Sequence, residues 1–442
     1  DCSKNSATVN ALLVQTPFLK EFDAIVIGAG VIGCSISLAL ARRGIKTLNV
    51  DALPAAGYGS TSHSSAIVRP FYSHETSCAL AHEARHRWLG WREFLDYAPE
   101  PVARYVETGG LVLVRNGTEH LYENNLAMLD KVGVEFHRLS PQEIKKIYPG
   151  ISLAAFGPPK CQHEEGFGEP VSGNITSGIF IPASGYVSDP QLAARNLQVA
   201  AEHEGSMFSF NVRVTNILRE GGAISGVELD RGDIIRAPTV VNAAGPHSFA
   251  INDLAGITSS LKIKTKPHRH EVAYLKAPSG YQQNAGFIVD LDAGVYQRPD
   301  SGDMLIGSAD PNCDPPDVVN PDDYNDQFTA QWTTQAIRAA QRWPELGIEN
   351  NARGTVGLYD VSDDWIPIYD RTDLPGFYLA IGTSGNQFKN APVVGDLMAD
   401  VIENRAHDSA PSLMNLTNLK RSIDLSFYSR HRDVQETASV MA

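Results

Sequence analysis

The sequence predicts an α/β chain: a Rossmann-like nucleotide-binding domain joined to a second, α+β domain built on a large mixed or antiparallel sheet. Three observations predict it. An apolar run, Phe22-Asp23-Ala24-Ile25-Val26-Ile27, leads directly into Gly28-Ala29-Gly30-Val31-Ile32-Gly33. A second apolar run, Ile45 to Val50, follows one helix length later and ends on Asp51. Beyond about residue 262, short apolar runs separated by turn residues read as antiparallel strands.

The first run is apolar without alternation, as in a parallel strand buried on both faces. The helix opening at Val31 is expected to reach Arg43 and stop at Gly44, which completes a βαβ unit. Between Ser73 and Leu95, residues Leu80, Ala84, Trp88, Trp91 and Leu95 share one helical face, and the Trp88/Trp91 pair reads as core packing. Gly109 to Val114 reads as a strand, Ser140-Pro141-Gln142-Glu143 as a capping box opening a short helix, and Gly178 to Pro190 as a turn-rich stretch. A helix from Pro190 to Glu204 precedes a meander from Phe208 to Ile235. Thr239 to Asn242 reads as a buried strand closed by Ala243-Ala244-Gly245-Pro246. The antiparallel strands of 262–310 turn at Pro278-Ser279-Gly280 and Asp300-Ser301-Gly302, and 319–343 reads as a helix pair. A last strand, Phe377 to Ile381, leads through a glycine loop into a helix from Ala391 to about Glu403. Residues 1–21 and 434–442 read as extensions.

Composition narrows the function. A net charge of −14 disfavours nucleic-acid binding, which needs a basic face. Five cysteines, at 2, 34, 78, 161 and 313, show no paired spacing, which fits a reduced, cytoplasmic compartment. The apolar stretch from Ala24 to Ala41 is broken by glycines and by Ser35 and Ser37, so it reads as strand–turn–helix and no membrane span is expected. No metal-ligand constellation is apparent. His268 and His270 share one face of a strand, read as running near the substrate cavity.

Gly28, Gly30 and Gly33 give the GxGxxG spacing after a strand and at a helix start. The first glycine permits a tight turn, the second lets a pyrophosphate approach the backbone, and the third lets helix and strand pack closely. Val31 and Ile32 open the helix whose free N–H groups face the phosphate. Asp51, 18 residues after Gly33, stands where a carboxylate accepts from ribose hydroxyls. This motif alone does not separate NAD from FAD.

Further segments make that choice. They are Gly59-Ser60-Thr61-Ser62-His63-Ser64-Ser65-Ala66-Ile67-Val68-Arg69, then Gly178-Ile179-Phe180-Ile181-Pro182 with Gly185-Tyr186-Val187, then Val240-Val241-Asn242-Ala243-Ala244-Gly245-Pro246, and last Gly382-Thr383-Ser384-Gly385-Asn386-Gln387-Phe388-Lys389. With them the chain, from about residue 22 to about 432, resembles the D-amino-acid oxidase superfamily of flavoproteins, within it the sarcosine, dimethylglycine and glycine oxidase branch. The resemblance implies FAD, contacted by Ser60, Thr61, Ser62, His63, Ser64, Ser65, Val214, Ala243, Ala244, Gly245, Gly382, Gly385, Asn386, Gln387, Phe388 and Lys389 besides the first turn and Asp51. It implies an FAD-binding domain from 22–102, 178–250 and 353–433, and a substrate domain from 103–177 and 251–352. His63 matches a histidine that some relatives join covalently to the flavin; a covalent link and a plain neighbour of the ring both stand open.

The resemblance also implies the catalytic set. Arg69 matches an arginine that binds substrate carboxylate, and Lys389 matches a lysine beside the flavin. Tyr296 and Arg298 match a Tyr-x-Arg pattern on the substrate-domain sheet, where alternation puts both on one face. Two departures matter: the cysteine that anchors flavin in monomeric sarcosine oxidases falls at about Gly357, and the lysine held to activate dioxygen there falls near Leu305. The implied activity is oxidation of a small amine or amino acid, with dioxygen or a carrier protein as electron acceptor. The rivals are a flavoprotein dehydrogenase subunit of a larger electron-transfer complex, a non-catalytic nucleotide-binding protein, and a nicotinamide dehydrogenase.

Overall fold

A computed structural model describes residues 20–279, 281, 285–403 and 413–436. Most of the two terminal extensions, and Gly280 of the expected turn, lie outside the described residues. In chain order the elements that build the site are β1 (Ala24–Ile27), α1 (Val31–Arg42), β2 (Thr47–Val50), α2 (Glu75–Leu89), β3 (Gly110–Arg115), β4 (His137–Leu139), α3 (Pro141–Ile147), β5 (Val171–Ile181), α4 (Pro190–His203), β6 (Met207–Ser209), β7 (Thr239–Asn242), β8 (Thr265–Lys276), β9 (Phe287–Asp290), β10 (Val295–Asp300), β11 (Asp303–Ser308), α5 (Ala330–Arg342), β12 (Gly354–Ser362), β13 (Ile368–Arg371), β14 (Phe377–Ile381) and α6 (Ala391–Glu403).

The first sheet has the order β6-β2-β1-β7-β14-β13, parallel except for the last strand. All four residues of β1, β2 and β7 are buried, as their unbroken apolar runs predict. One face carries α1, α4 and α6, whose side chains share a core with Val26 and Val241. Helix α1 lies so close to α6 that a Cβ on Gly395 would come within 2.4 Å of the Ser35 carbonyl. The opposite face is covered by the meander of strands between residues 214 and 236.

The second sheet has the order β12-β8-β11-β10-β9-β3-β5-β4, with β9 and β3 parallel and the other pairs antiparallel. Helix α5 covers one face through Trp332, Ala336 and Ala339. The capping box at Ser140 opens α3 as expected, with Glu143 bonded back to the Ser140 backbone at 2.7 Å.

Several boundaries differ from the sequence reading. Gly178 is not in a turn but inside β5, because Leu111 and Ile144 fill the space a side chain would need there. Met207–Ser209 leaves the meander and forms the edge strand β6 beside β2. Residues 319–343 hold one helix rather than two. Asn320 accepts from the Asp322 N–H at 3.0 Å, a local bond that competes with helix, and Thr329 then caps α5. Residue 178 lies inside β5, and β12 pairs with β8 along its length, from Gly354↔Ala273 to Ser362↔Thr265. Among the described residues no helix is long and apolar enough to cross a membrane.

Arg342, at the end of α5, is fully buried beneath the second sheet. Its guanidinium meets Asp290 at 2.7 Å and Asp292 at 3.3 Å and donates to the carbonyls of Ser152 and Ala154, both at 2.8 Å. Removing it leaves Asp290 buried without its counter-charge, while Asp292 keeps Arg115 at 3.2 Å. Arg342→Met is therefore expected to cost about 3–5 kcal/mol, read as a lower urea midpoint with an unchanged slope.

Candidate active site

The chemistry begins where β1 ends. Gly28 has φ +108°, and a Cβ there would lie 2.2 Å from the Ala243 carbonyl at the end of β7. Gly33 lies equally close to Gly28: its Cβ would be 1.9 Å from the Gly28 carbonyl. Packing therefore dictates these two glycines. Gly30 is different. It stands at the N-cap of α1 with no side-chain cap, and its Cβ would meet only the Thr61 hydroxyl, at 3.2 Å. Space is left over the open first turn of α1, where Val31 and Ile32 are buried and Val31 N–H donates to Thr61 Oγ1 at 3.0 Å. That open N-terminus with a bare N-cap fits the pyrophosphate of a dinucleotide.

Asp51 closes the same turn. Its carboxylate accepts from the N–H of Ala29 at 2.6 Å and of Leu53 at 2.8 Å, and burial pushes its pKa up. Val214 is buried in the core beside Val50, and Val212 N–H bonds to the Asp51 carbonyl at 3.1 Å. Across the turn, Ala243 N–H bonds to the Ile27 carbonyl at 2.9 Å, Ala244 N–H to Asn242 Oδ1 at 3.1 Å, and Gly245 turns the chain with φ +56°.

The small polar loop after Gly59 is held largely by its own hydroxyls. Ser62 Oγ donates to the Gly59 carbonyl at 2.9 Å, Ser64 Oγ accepts from Ala66 N–H at 3.0 Å, and Ser60 Oγ donates to the Leu358 carbonyl on β12 at 2.7 Å. The Ser65 carbonyl accepts from Arg298 Nε at 2.7 Å. The His63 ring lies on Gly357, where a Cβ would come within 2.7 Å of His63 Cβ. The two positions that the sequence resemblance marks for flavin attachment are thus in contact. His63 is hydrogen-bonded to the Gly59 backbone, and burial lowers its pKa, which favours a neutral ring with one lone pair to offer.

Two more rings of the site rest on glycines in the same manner. A Cβ on Gly307 would strike the Tyr296 ring at 2.2 Å, and one on Gly385 the Tyr359 ring at 2.3 Å. Gly382 and Gly385 have φ +68° and +67°, and Asp360 pins their loop by accepting from Gly382 N–H at 2.6 Å while its backbone carbonyl accepts from Ser384 N–H at 2.8 Å. Asn386 and Gln387 are joined side chain to side chain at 2.6 Å, Tyr369 donates to Gln387 at 3.1 Å, and Phe388 stacks on Trp88. Lys389 then points its ammonium at Tyr72 OH, 2.9 Å away, and the Asn386 carbonyl, 2.5 Å away. Burial, then the charge of Arg69, pulls the Lys389 pKa well down.

The serine loop, the second sheet and the loop at Gly385 line one open pocket. Arg69, Lys389, Tyr296 and Tyr359 supply polar groups to its wall, and Ile67, Phe287 and Val289 make it apolar. Arg69 is buried, donates to the Phe71 carbonyl and lies over the Tyr72 ring at 4.7 Å. Tyr296 is hydrogen-bonded to Ser65 and Tyr359. Of the four residues expected to be catalytic, three meet here. Arg298 does not: its guanidinium is engaged with the carbonyls of Ser65 and Pro299, both at 2.7 Å, and with Asp300 at 3.1 Å. It shares a strand face with Tyr296 but anchors the serine loop instead of lining the cavity. His268 and His270 also stay out of the wall. His270 stacks on Tyr359 at 4.0 Å, one layer behind it, and burial holds it down to about 3.

Sequence reading missed Tyr72, Tyr359 and Asp360. No spacing marks them: Tyr72 follows Arg69 on an irregular stretch, and Tyr359 and Asp360 sit in an ordinary β-strand pattern. Asp360 generates a measurable signature. Burial pushes its carboxyl from 3.8 to about 7, opposed by bonds from Gly382, Ser248 and Thr265. Between those values the native chain keeps a proton that the unfolded chain releases. The stability this group contributes is full below the ordinary carboxyl value and is lost as pH rises through about 7. The unfolding free energy of the wild type, relative to Asp360→Asn, should therefore fall as pH climbs through that window; a difference that stays flat contradicts the assignment.

The model of the FAD dependent oxidoreductase family matches residues 23–401. A sarcosine oxidase subunit beta from Rhodobacter capsulatus is 25% identical over 391 residues, spanning 87% of this chain and 85% of that protein. Among solved structures, L-proline dehydrogenase from P. horikoshii is similar with a TM-score of 0.75 at 23% identity, covering 94% of this chain and 98% of its own. Glycine oxidase from Geobacillus kaustophilus gives 0.72 at 21% identity, covering 94% and 100%. On the strength of a family model that runs from β1 into α6, this chain belongs to the FAD-dependent oxidoreductase family.

Proposed function

We propose that the protein oxidises the C–N bond of a secondary or tertiary amine, or an amino acid, that carries a carboxylate. The observation that carries this reading is the meeting of Arg69 and Lys389 in one pocket whose wall also holds Ile67, Phe287 and Val289. FAD, when bound, supplies the acceptor for the hydride leaving the carbon beside nitrogen. Its holding residues in this reading are Gly28, Gly30, Val31, Ile32 and Gly33, with Asp51 and Val214, Ser60 through Ser65, Ala243 through Gly245, and Gly382 with Gly385 through Lys389.

The chain's own side chains do the rest. Arg69 offers a guanidinium whose fork matches a carboxylate by two bonds. Ile67, Phe287 and Val289 keep water from the reacting carbon, and the Tyr296 and Tyr359 rings fix the substrate's plane. Lys389, already biased toward its neutral form, draws its proton back when negative charge develops beside it. No strong side-chain base is needed, since a neutral amine gives up hydride once it is correctly placed. Hydrolysis of the resulting imine completes the reaction. In this reading the second sheet with α5, from β3 to the end of β5 and from β8 to the end of β12, binds substrate, and the remainder binds FAD.

The electron acceptor in this proposal is dioxygen or a carrier protein. Leu305 is buried against Val272 and Tyr296, so no cation stands at that position to assist dioxygen. With a relative named as a beta subunit, this favours, as the second reading, a dehydrogenase subunit of a larger electron-transfer complex. Slow reoxidation by air and fast reoxidation by an artificial acceptor would identify it.

The primary test is anaerobic mixing with N-methylglycine, dimethylglycine, glycine, proline and D-amino acids. At least one should bleach the bound flavin; a panel that leaves the spectrum of loaded protein unchanged contradicts the reading. Arg69→Lys should lower kcat/KM for carboxylated amines by roughly 10- to 100-fold, the loss of about 1.5–3 kcal/mol of charge-assisted bonding, and much less for amines without a carboxylate. We also propose that His63 carries FAD covalently. Acid precipitation should then leave flavin in the pellet, and His63→Ala should release it to the supernatant; wild-type flavin found wholly in the supernatant removes the bond.

A further inference from the structure

Away from the cavity, two cysteines converge that the proposed reaction does not use. Cys161 and Cys313 are 152 residues apart in sequence, yet the Cys161 thiol touches the Cys313 carbonyl at 2.6 Å. Their sulfurs and a carboxylate oxygen of Asp314 all lie within 4.8 Å of one another. The two loops are clamped by Arg338 of α5, which is 1% exposed. It donates to the Lys160 carbonyl at 2.8 Å, to both oxygens of Asp314 at 2.6 and 2.8 Å, and to Cys313 Sγ at 3.2 Å.

Exposure separates this pair from the other described thiols. Cys34 and Cys78 are buried, and burial raises both pKa values. Cys161 and Cys313 are half-buried, and Arg338, which bonds to Cys313 Sγ, also lines a cleft together with Lys160, Phe167 and Gln341. Two chemistries suit two thiols at this spacing: a thiophilic cation or a disulfide. The Arg338 guanidinium decides between them. It already occupies both Asp314 oxygens and lies against Cys313 Sγ, so a cation would have to displace a buried positive charge. A disulfide is neutral and leaves the Arg338–Asp314 pair intact. Closure would bring sulfurs that lie within 4.8 Å to the ~2.05 Å bond length.

We propose that Cys161 and Cys313 form an oxidisable pair that closes to an intramolecular disulfide when a peroxide reaches the cleft. The thiolate of one cysteine attacks the peroxide O–O bond, taking one oxygen as a sulfenic acid and releasing water. The second thiolate attacks that sulfur and expels the oxygen as a second water. Two thiols lose two hydrogens, and one hydrogen peroxide becomes two waters. Burial holds the Cys313 thiol up to about 11 against the neighbouring Arg338 charge. The bond would tie the loop after β11 to the loop before β5. The former includes Asp310, whose carboxylate lies 3.6 Å from His270.

The test uses flavin-loaded wild type, reduced, freed of reductant, and exposed to a small excess of hydrogen peroxide. Alkylation with N-ethylmaleimide, digestion and mass spectrometry should find a Cys161–Cys313 linked peptide that disappears on treatment with dithiothreitol. Cys161→Ser and Cys313→Ser should each lack it while the remaining partner becomes free to alkylate or over-oxidise. Three outcomes overturn the proposal: both thiols fully alkylated after peroxide, a link from either to Cys2 or to a second chain, or zinc added alone at equimolar ratio binding and shielding the pair. None depends on which amine the cavity takes.

Discussion

The approach of the Gly28 turn to the end of β7 is the contact from which the rest follows. A side chain at Gly28 would overlap the Ala243 carbonyl, and one at Gly33 the Gly28 carbonyl. With neither present, three pieces of backbone nest at the carboxyl ends of two neighbouring parallel strands, the place where open α/β sheets bind ligands. The nesting places Gly30 at the start of α1, where a side chain would meet no backbone and only the Thr61 hydroxyl. Any bulk between β1 and β7 would move the helix start, the serine loop bonded to it through Thr61, and everything that loop supports.

The second sheet is registered on the first by polar ties to backbone carbonyls and amides, which fix position with little tolerance. Arg298 reaches from β10 to the Ser65 carbonyl, Ser60 reaches back to the Leu358 carbonyl on β12, and Asp360 on β12 holds the Gly382 turn. Around these ties, Tyr296, His63 and Tyr359 each lie flat on a glycine. A ring pressed on bare backbone cannot tilt, so the cavity wall is set by sheet geometry more than by rotamer choice. This explains why an arginine expected to touch substrate anchors a loop instead: its face of the sheet was right, but the Ser65 carbonyl of the serine loop reaches it first.

Much of the nucleotide half was legible in the sequence because its chemistry is local. Gly28, Gly30, Gly33 and Asp51 act within one βαβ unit, and spacing alone conveys their roles. The substrate half was less legible because its members come from strands far apart. Tyr359 and Asp360 follow ordinary strand alternation, and Tyr72 gains its meaning only from Lys389, 317 residues away. Gly178 reads as a turn residue until Leu111 and Ile144 are seen filling its side-chain space. Asn320 shows the same limit at residues 319–329, where a side-chain bond to the backbone stopped a helix that composition permits.

The central claim is that these separate turns leave a bare helix start shaped for one flavin dinucleotide. FAD content per chain in the wild type and in Gly30→Ala tests it most directly, because among the three glycines only Gly30 would set a methyl group against a side-chain hydroxyl, Thr61 Oγ1 at 3.2 Å, rather than against backbone. A yellow wild type with near-stoichiometric FAD, beside a variant with unchanged circular dichroism and far less flavin, is the predicted result. A colourless wild type that cannot be reconstituted, or a variant that keeps its full complement, would contradict the account.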